Sequence, residues 1–523
     1  MTDSHEYVYE SHRSWEQETS FNDVLAEQLR RAPYLLASAL IHVLIGFIVA
    51  GFMLLTKEET EVHTITAQPP PPPPEVEEEE PPPPPPEEEV VEEPVIQEAE
   101  IEETTEQEML EETGDPDFTS DSPFEADQSN NAVGLGGGAG GKYGGRGGRG
   151  GRRGRTKTDQ AVADALKWLH DHQAPIGFWD SDEFMLYDKY PDKPPSDGKG
   201  NPAVDVGLTG LALLAFLGNG NTLASGPYRE TVGKGIGWLR ENQRDDGLFG
   251  DEVGNPTLYN HAIAAMAVGE ATYFAKQPPP LKKSLKKAVS VILNAQVPYA
   301  AWRYSLVPNG ECDSSITGWM VFALKTAEDN KIPIDKAAFE GAKEWFRTME
   351  DPNTGRIGYA WGEGGGGPGS LPSRPAYLMD KFPADKSESL TAVGLLCRIF
   401  MTDTDKVKRW EDHPNYEMMK KNADLIAAKL PRWDSDGSID MYYWYYGTFA
   451  MNQWGGQHWK KWEKAISEAL IPNQRREDKE DNFFGSWDPV GAWGEEGGRV
   501  YSTAICALIL EVYYRYAQIL GAR

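Results

Sequence analysis

The chain has 523 residues and a net charge of −31, but most of that charge lies in one segment. Residues 58–127 contain 26 Asp and Glu and no Lys or Arg, which leaves −5 for the remainder. The acidity therefore does not indicate a basic partner for the folded part of the chain. Three cysteines in this length argue against a disulfide framework, and we expect Cys312, Cys397 and Cys506 to be buried free thiols.

The first predicted element is a transmembrane helix at residues 34–56. Its core, residues 35–55, is long enough to cross the roughly 30 Å hydrocarbon layer of a bilayer. Arg30 and Arg31 precede it, so the positive-inside rule places residues 1–33 in the cytoplasm and the rest of the chain outside. The apolar run is too long for a signal peptide, and we expect an uncleaved, single-pass inner-membrane protein whose bulk is periplasmic.

Ser38 and His42 interrupt this apolar run four residues apart, on one face of the helix. An ionisable group in lipid usually faces a protein partner or a proton path. The pair, followed by a stretch rich in proline and acid, resembles the amino terminus of TonB-type energy transducers. That resemblance implies a proton-channel partner of the ExbB–ExbD kind. The alternative is a simple anchor that tolerates both side chains.

Two linkers follow the helix. Residues 57–133 contain two hexaproline runs separated by glutamates and cannot bury a core, so we expect an extended, self-repelling and disordered spacer. Residues 134–156 change to glycine and arginine. We expect a flexible hinge there, with anionic lipid, cell-wall polyanions or the acidic linker as alternative partners, and no nucleic-acid partner. The six cations of this second linker are Lys142, Arg146, Arg149, Arg152, Arg153 and Arg155.

Residues 157–523 contain a six-fold repeat of paired helices. One helix of each pair is rich in Ala, Gly and Leu on every face, and the other is amphipathic. The first kind suits a crowded axis and the second an outer ring, so six pairs predict an all-α, six-hairpin α/α toroid. The apolar helices are anchored at Thr209, His261, Thr317, Thr391, Thr448 and Thr503. The amphipathic helices are expected at about 158–172, 228–243, 281–296, 335–350, 415–430 and 456–472.

Three of the turns that follow the amphipathic helices share a glutamine and an aromatic residue. They begin at Gln173, Gln243 and Gln296, and in two of them a glycine suits the left-handed conformation that ends a helix. These turns resemble the Gln-Trp repeats of squalene cyclases, and the whole domain resembles the prenyltransferase and squalene-oxidase repeat superfamily. The segments around residues 442–446, 485–488 and 511–516 are similar to those of membrane-anchored toroid proteins of the planctomycete type.

The motifs that carry catalysis in this superfamily are absent from the sequence. No Asp-x-Asp-Asp acid of the cyclases occurs, and Glu311-Cys312-Asp313 does not have the order of the prenyltransferase zinc ligands. We therefore expect no metal and no cofactor. Toroids of this superfamily place their chemistry where the inner helices begin. The candidates at these positions are Asp205, His261, Asp313, Glu388, Tyr443, Tyr446 and Tyr501.

These candidates have ordinary structural explanations as well. Aspartates such as Asp205 and Asp313 are simple helix N-caps in one interpretation and the acid and base of a glycosidase in the other. The aromatic run at 442–446 is core packing, or in part a platform for sugar, lipid or peptide. We expect a non-enzymatic binding or scaffold protein with an apolar, glycan or protein ligand. The alternative is a toroid enzyme that acts on isoprenoids or glycans.

Overall fold

The computed structural model describes residues 157–361, 366–372, 374–403, 406–515 and 519. The predicted transmembrane helix with Ser38 and His42 and both predicted linkers lie outside the described residues, as does the cytoplasmic segment. The described residues cover the predicted toroid apart from its last few residues and short gaps.

Within this part of the chain, twelve α-helices alternate between the two predicted kinds. Their number and order agree with the predicted pairs, and their ends lie within a few residues of the expected ones. The last helix contains a break at Gly498, whose φ of 65° is not helical. The helices are α1 Lys157–Asp171, α2 Asp205–Gly218, α3 Arg229–Glu241, α4 Pro256–Phe274, α5 Pro279–Ala295, α6 Ser314–Asp329, α7 Lys336–Thr348, α8 Ser389–Phe400, α9 Tyr416–Ala428, α10 Met441–Trp454, α11 Gly456–Leu470 and α12 Gly494–Arg515.

The even-numbered helices form a closed inner ring. Each packs against the next even-numbered helix, and α12 packs back against α2. The odd-numbered helices lie outside this ring; α3, for example, contacts α2 and α4, and α1 contacts α12 and α2. The described helices therefore form the predicted six-hairpin α/α toroid.

Glutamine side chains tie successive outer helices together. Gln173 donates from Nε2 to the carbonyl of Gly177 in its own turn, at 2.7 Å, and to that of Thr231 in α3, at 3.0 Å. Gln243 and Gln296 repeat this pair of bonds toward α5 and α7. Gln474 does the same from the end of α11 to Ala161 of α1, at 2.8 Å. The last of these bonds joins the end of the outer ring to its beginning.

Glycine and tryptophan complete these turns. A Cβ on Gly177, whose φ is +113°, would lie 2.3 Å from the carbonyl oxygen of Lys234 in α3, so both the backbone conformation and the close approach require glycine. The indole of Trp179 donates to the carbonyl of Leu169 near the end of α1, at 2.7 Å, as the predicted aromatic cover of a helix end. Trp302 and Trp487 make the same bond behind α5 and α11.

The axis of the ring is filled by aromatic side chains. Trp319 stacks on Tyr445 with ring centroids 5.9 Å apart, and Phe322 stacks on Phe449 at 6.1 Å. All four side chains are buried. Packing of this kind stabilises the ring through apolar burial and aromatic contacts. The three cysteines are buried and unpaired, as predicted.

One end of the axis, where the inner helices finish, is polar but sealed. Arg515 of α12 donates to Glu270 of α4 at 2.5 Å and to the carbonyl of Leu214 at 2.6 Å. Glu511 lies 3.6 Å from the same guanidinium, and none of the three charged side chains is more than 1% exposed. Burial raises the pKa of Glu270 to about 7, although Arg515 opposes the shift. We call this the rear end.

None of the helices in the described ranges is long and apolar enough to cross a membrane.

Candidate ligand-binding site at the mouth of the toroid

Six loops lead from the outer helices to the beginnings of the inner helices, at the end of the ring opposite the rear end. We call this end the mouth face. The loops on this face contain many more residues in total than the loops at the rear end. The rear connection between α10 and α11, for example, is a single residue, Gly455. The mouth loops are 172–204, 242–255, 296–313, 349–388, 429–440 and 471–493.

His261 is not available to a ligand in this structure. Its Nδ1 accepts the backbone N–H of Phe249 at 3.1 Å, and its Nε2 lies 3.0 Å from the carbonyl of Ala288. The side chain is fully buried, and burial lowers its pKa to about 4 even though the Ala288 carbonyl favours the proton. His261 thus holds the second turn, and the cavity role considered from the sequence is replaced by a structural one.

Four of the other five repeats use this position in the same way. The threonine that anchors an inner helix accepts a backbone N–H from the preceding mouth loop at 3.0 to 3.3 Å. The pairs are Thr209 with Trp179, Thr317 with Trp302, Thr391 with Ile357 and Thr503 with Trp487. His261 is therefore the histidine version of a repeated turn anchor.

Glu388 is likewise occupied by ion pairs and a hydrogen bond within the protein. Its carboxylate accepts from Arg356 at 2.8 Å, lies 2.9 Å from Nζ of Lys429 and accepts from Thr391 at 3.0 Å. Burial alone would raise the pKa of Glu388, but the bonds from Arg356 and Lys429 lower it below its ordinary value. The residue is an ionised staple between loop 349–388 and the end of α9.

The two tyrosines proposed from the aromatic run differ in position. Tyr443 points toward the outer ring, where its hydroxyl donates to the carbonyls of Ile426 and Lys429 at 3.0 Å and covers the end of α9. It does not lie at the axis, contrary to the sequence-based candidate list. Tyr446 lies at the axis against Trp319 and below Tyr442. Only Tyr442 of the run is partly exposed.

Asp205 begins α2 and faces the first mouth loop. It accepts the backbone N–H of Ser181 at 2.9 Å. Burial raises its pKa to about 6, although the Ser181 bonds favour the ionised form. The side chain is partly exposed, and it joins its helix to loop 172–204.

Asp313 caps α6 and faces an arginine. Its Oδ1 accepts the N–H of Ile316 at 2.8 Å, as an N-cap does, and its Oδ2 lies 3.4 Å from Nη1 of Arg303. Burial raises the pKa of Asp313 to about 6, although Ile316 and Arg303 both oppose the shift. The Arg303 guanidinium covers the rings of Tyr304 and Tyr359, 4.6 and 5.3 Å from their centroids.

A cavity of about 330 Å³ opens beside this pair, between the second and third mouth loops. Arg303 and Tyr304 form part of its wall. The hydroxyls of Tyr304 and Tyr359 bond to each other, and burial first, followed by Asp313, raises the pKa of both tyrosines. Their hydroxyls therefore remain protonated, and so able to donate, at neutral pH.

A chain of hydroxyls crosses the ring next to this cavity. Tyr259 of α4 donates to Oγ of Ser315 in α6 at 2.9 Å, and the same oxygen lies 2.7 Å from the hydroxyl of Tyr442 in α10. Both tyrosines are partly exposed, and burial raises the pKa of each. Three inner helices are thus linked at the mouth by neutral hydroxyl groups.

A second arginine reaches the mouth from the long loop 349–388. Arg374 donates to Asp440, the N-cap of α10, at 2.5 Å, and its guanidinium lies 5.5 Å from the ring centre of Trp493. Trp493 in turn meets Tyr442 edge to face at 6.3 Å. Tyr501 belongs to the same group, because Asp440, Tyr442 and Arg374 all affect its pKa, which burial raises.

We call this set the mouth floor. It combines partly exposed tyrosines with two arginines that are each held by a carboxylate. Its members are Tyr259, Arg303, Tyr304, Asp313, Ser315, Tyr359, Arg374, Asp440, Tyr442, Trp493 and Tyr501.

Several buried donors of the floor have no hydrogen-bond partner among the described residues. They are Nε of Arg303, Nε of Arg374 and Nε1 of Trp493, and the hydroxyl of Tyr446 beneath them is also unpaired. A buried polar group without a partner costs about 1 to 3 kcal/mol, so such groups normally meet water, an ion or a ligand. Asp313 Oδ2, an acceptor of the same floor, also has no hydrogen-bond partner within the described ranges, so the floor offers both donors and an acceptor to a polar ligand.

Of the candidates taken from the sequence, Asp313 and Tyr501 lie in the mouth floor and Tyr446 lies beneath it, whereas the other floor residues were not among the candidates. One local signal was present, because Arg303 and Tyr304 directly follow Trp302, the aromatic that closes the third turn. Tyr359 follows Ile357 of the fourth turn in a similar place. Arg374 had no such signal, since it lies in the irregular insertion.

The described residues contain no group of three or more His, Cys, Asp or Glu side chains that could hold a metal ion.

No protein-family model matches the chain, and no curated protein is similar to it in sequence. Its structure is similar to a type II terpene cyclase from Scytonema, with 10% identity, coverage of 70% of this chain and 99% of that one, and a TM-score of 0.43. An unsaturated glucuronyl hydrolase from Bacillus sp. GL1 matches with 12% identity, 68% and 96% coverage and a TM-score of 0.42. A glycoside hydrolase family 76 mannosidase from Bacteroides thetaiotaomicron matches with 9% identity, coverage of 69% of this chain and 98% of that one, and a TM-score of 0.41.

These similarities are too low to indicate an activity or a substrate for this protein. The toroid itself rests on the helix contacts described above.

Proposed function

We propose that this protein is a membrane-anchored periplasmic binding protein whose mouth floor holds a neutral, polyhydroxylated ligand, a glycan segment. The observation that carries the proposal is the convergence of unpaired buried donors with partly exposed tyrosines at one end of the ring. Sugar hydroxyl oxygens can accept from such donors, and tyrosine rings can cover the C–H faces of a pyranose.

The charges of the floor favour a neutral ligand over an ionic one. Arg303 faces Asp313 and Arg374 faces Asp440, so each guanidinium already has a carboxylate close to it. A charged ligand would have to displace one partner and leave it buried and unpaired, which is costly.

The same polar atoms disfavour the isoprenoid alternative. An apolar chain in the mouth would offer no acceptor to Arg303, Arg374 or Trp493, and it would leave the penalty of their unpaired N–H groups in place. A purely apolar ligand thus fits this floor less well than a sugar does.

A glycosidase remains the second candidate, because burial raises the pKa of Asp205 and of Asp313 to about 6. A carboxyl with such a pKa is protonated in part near neutrality and suits general acid catalysis. Asp313, however, uses one oxygen as a helix cap and directs the other toward Arg303. These commitments favour binding without turnover.

The binding proposal is tested with the full chain in detergent against a panel of neutral glucan, mannan and chitin oligomers. We expect at least one oligomer to bind and to be recovered unchanged. Replacing Tyr442→Phe should weaken that binding about tenfold, the value of one lost hydrogen bond of about 1.4 kcal/mol. Tyr416→Phe, on the outer helix α9, is the matched control and should bind as the wild type does.

Absence of binding to every oligomer would contradict the proposal. Cleavage that is lost in Asp313→Asn would instead support the enzyme.

The anchor supplies the second part of the proposal. A retained helix at 34–56 would hold the toroid at the inner membrane, and the Ser38 and His42 face would contact a proton channel of the ExbB–ExbD kind. His42→Ala should insert normally, because the apolar run becomes longer, while an energy-dependent phenotype is lost. Photo-crosslinking from residues that flank His42 checks this: no captured channel subunit would mean that the helix is only an anchor.

A further inference from the structure

The exposed large apolar side chains of the described toroid residues are confined to the mouth face. Among the described residues, ten large apolar side chains are exposed, and all ten lie in the mouth loops, none on an outer helix or at the rear. Four belong to loop 349–388. The ten are Ile176, Leu186, Val253, Tyr299, Val307, Trp361, Leu371, Tyr377, Met379 and Val490. We call them the mouth rim. Such clustering marks an interaction surface.

The mouth loops that carry the rim are also acidic. The six mouth loops contain 26 Asp and Glu against 14 Lys and Arg, whereas the six outer helices contain 11 against 17. A partner of this face should therefore be cationic and able to lie on aromatic rings. Arginine meets both requirements, because its guanidinium pairs with carboxylates and stacks on aromatic faces.

One part of the rim shows this combination at close range. Tyr377 is 63% exposed, and partial burial together with the carboxylates of Glu495 and Glu496 raises its pKa. The two glutamates begin α12, where negative charge is stabilised by the helix dipole. The neighbouring Leu378 packs in one apolar cluster with Ala492 and Trp493, which places Tyr377 close to the start of α12, where Glu495 is exposed.

The chain itself contains a segment of matching chemistry. Residues 142–155 carry six cations and no acid, and they end two residues before α1 begins at Lys157. The outer helices run from the rear to the mouth, so this segment joins the toroid at the rear end of α1. Helix α1 has 15 residues, a length of about 22 Å at 1.5 Å per residue.

The reach of the segment is sufficient. Arg146 precedes Lys157 by 11 residues, which span up to about 36 Å when extended. Helix α1 packs directly against α12, whose first turn carries Glu495. A path along the outside of α1 therefore leads to the glutamates beside Tyr377.

We propose that the Gly/Arg segment 142–155 docks on the acidic mouth rim of its own chain, with arginines between the carboxylates and the exposed aromatic rings. The docking is independent of which ligand the floor holds. Glycine allows the segment to lie close to an irregular loop surface.

Photo-crosslinking of the full chain in neutral-lipid nanodiscs tests this docking. A benzophenone amino acid replaces Tyr377, and a control carries it at Lys464 on α11, which is 76% exposed. We expect cross-links from position 377, but not from 464, to residues 142–155. They should fall at least fivefold in 0.5 M salt and in a variant with Arg146, Arg149, Arg152, Arg153 and Arg155 changed to Gln.

A second variant controls for a general loss of positive charge. Lys282, Lys283, Lys286 and Lys287 of α5 are changed to Gln, and we expect the cross-link to persist. Tyr442→Phe should also leave it unchanged, which separates this proposal from the function proposed for the floor.

Cross-links that map elsewhere, or that survive the arginine changes, would overturn the docking. Cross-links only between differently isotope-labelled chains would overturn docking within one chain. Loss of the cross-link on adding anionic lipid would show that the segment prefers the membrane, and would overturn the proposal as well.

Discussion

Both ends of the inner ring contain buried pairs of arginine and carboxylate, but the two ends surround them differently. At the rear, Arg515 and Glu270 are sealed, and four of the five connections between helices have ten residues or fewer. At the mouth, Asp313 is buried but Arg303 is 22% exposed and lines a cavity of about 330 Å³. An arginine–carboxylate pair is thus sealed at the rear, whereas at the mouth the pair of Arg303 with Asp313 is accessible and only the pair of Arg374 with Asp440 is buried. The loops, not the pair, decide which role it has.

The largest expected effect comes from the rear. Arg515→Met removes the guanidinium that pairs with buried Glu270 and lies 3.6 Å from Glu511, and breaking such a pair typically costs about 3 to 5 kcal/mol. We expect a loss of this size in the free energy of unfolding, measured by urea denaturation, with the glycan affinity of the remaining folded protein unchanged. The double variant Arg515→Met with Glu270→Met should recover part of the loss. A single variant as stable as the wild type would show that the rear pair is not structural.

A smaller effect is expected at His261, which lies near the mouth yet is sealed. Its folded pKa is about 4, below the ordinary 6.5, so the unfolded chain binds more protons between these two values. The stability from this residue is complete above pH 6.5 and is lost as the pH falls toward 4, by roughly 2 to 3 kcal/mol. His261→Gln keeps an acceptor for Phe249 and a donor for Ala288 but does not titrate.

Urea unfolding at pH 7 and pH 4.5 measures this difference. The glutamine variant should lose less stability than the wild type over that interval. Equal losses in the two proteins would mean that His261 does not stay neutral in the fold.

The smallest effect on stability is expected for the mouth floor. Tyr442→Phe removes one partly exposed hydroxyl, and we expect the unfolding free energy to change by less than about 1 kcal/mol while glycan affinity falls about tenfold. Thermal melts and titrations on the same sample give both values. If Tyr442→Phe lost more unfolding free energy than binding free energy, the mouth floor would serve stability rather than ligand binding, contrary to the role assigned to it.

The ring could be predicted from the sequence because each helix carries its own signal. Periodic apolar positions such as Ala338, Ala342, Trp345 and Phe346 identify an outer helix without knowledge of any partner. The turns were equally local, since the amide, glycine and aromatic groups lie within a few residues of each other, as from Gln173 to Trp179.

The floor could be predicted only in part, because its pairs join distant parts of the chain. Arg374 and Asp440 are 66 residues apart, and nothing in either neighbourhood indicates the other. Glu388 lies at the start of an inner helix, as a candidate site residue should. Its ion pairs with Arg356 and Lys429 nevertheless give it a structural role, which the sequence does not indicate. Tyr443 and Tyr442 are adjacent in sequence and face different rings, which depends on the rotation of α10 about its axis.

Hydrogen exchange of the full chain, with and without the oligosaccharide that binds most tightly, tests the central claim most directly. We predict that amides of loops 296–313 and 349–388 and of the first turns of α6 and α10 become protected, while those around Glu270 and Arg515 do not change. Protection centred on the rear end, or spread evenly over the outer helices, would contradict a binding site at the mouth.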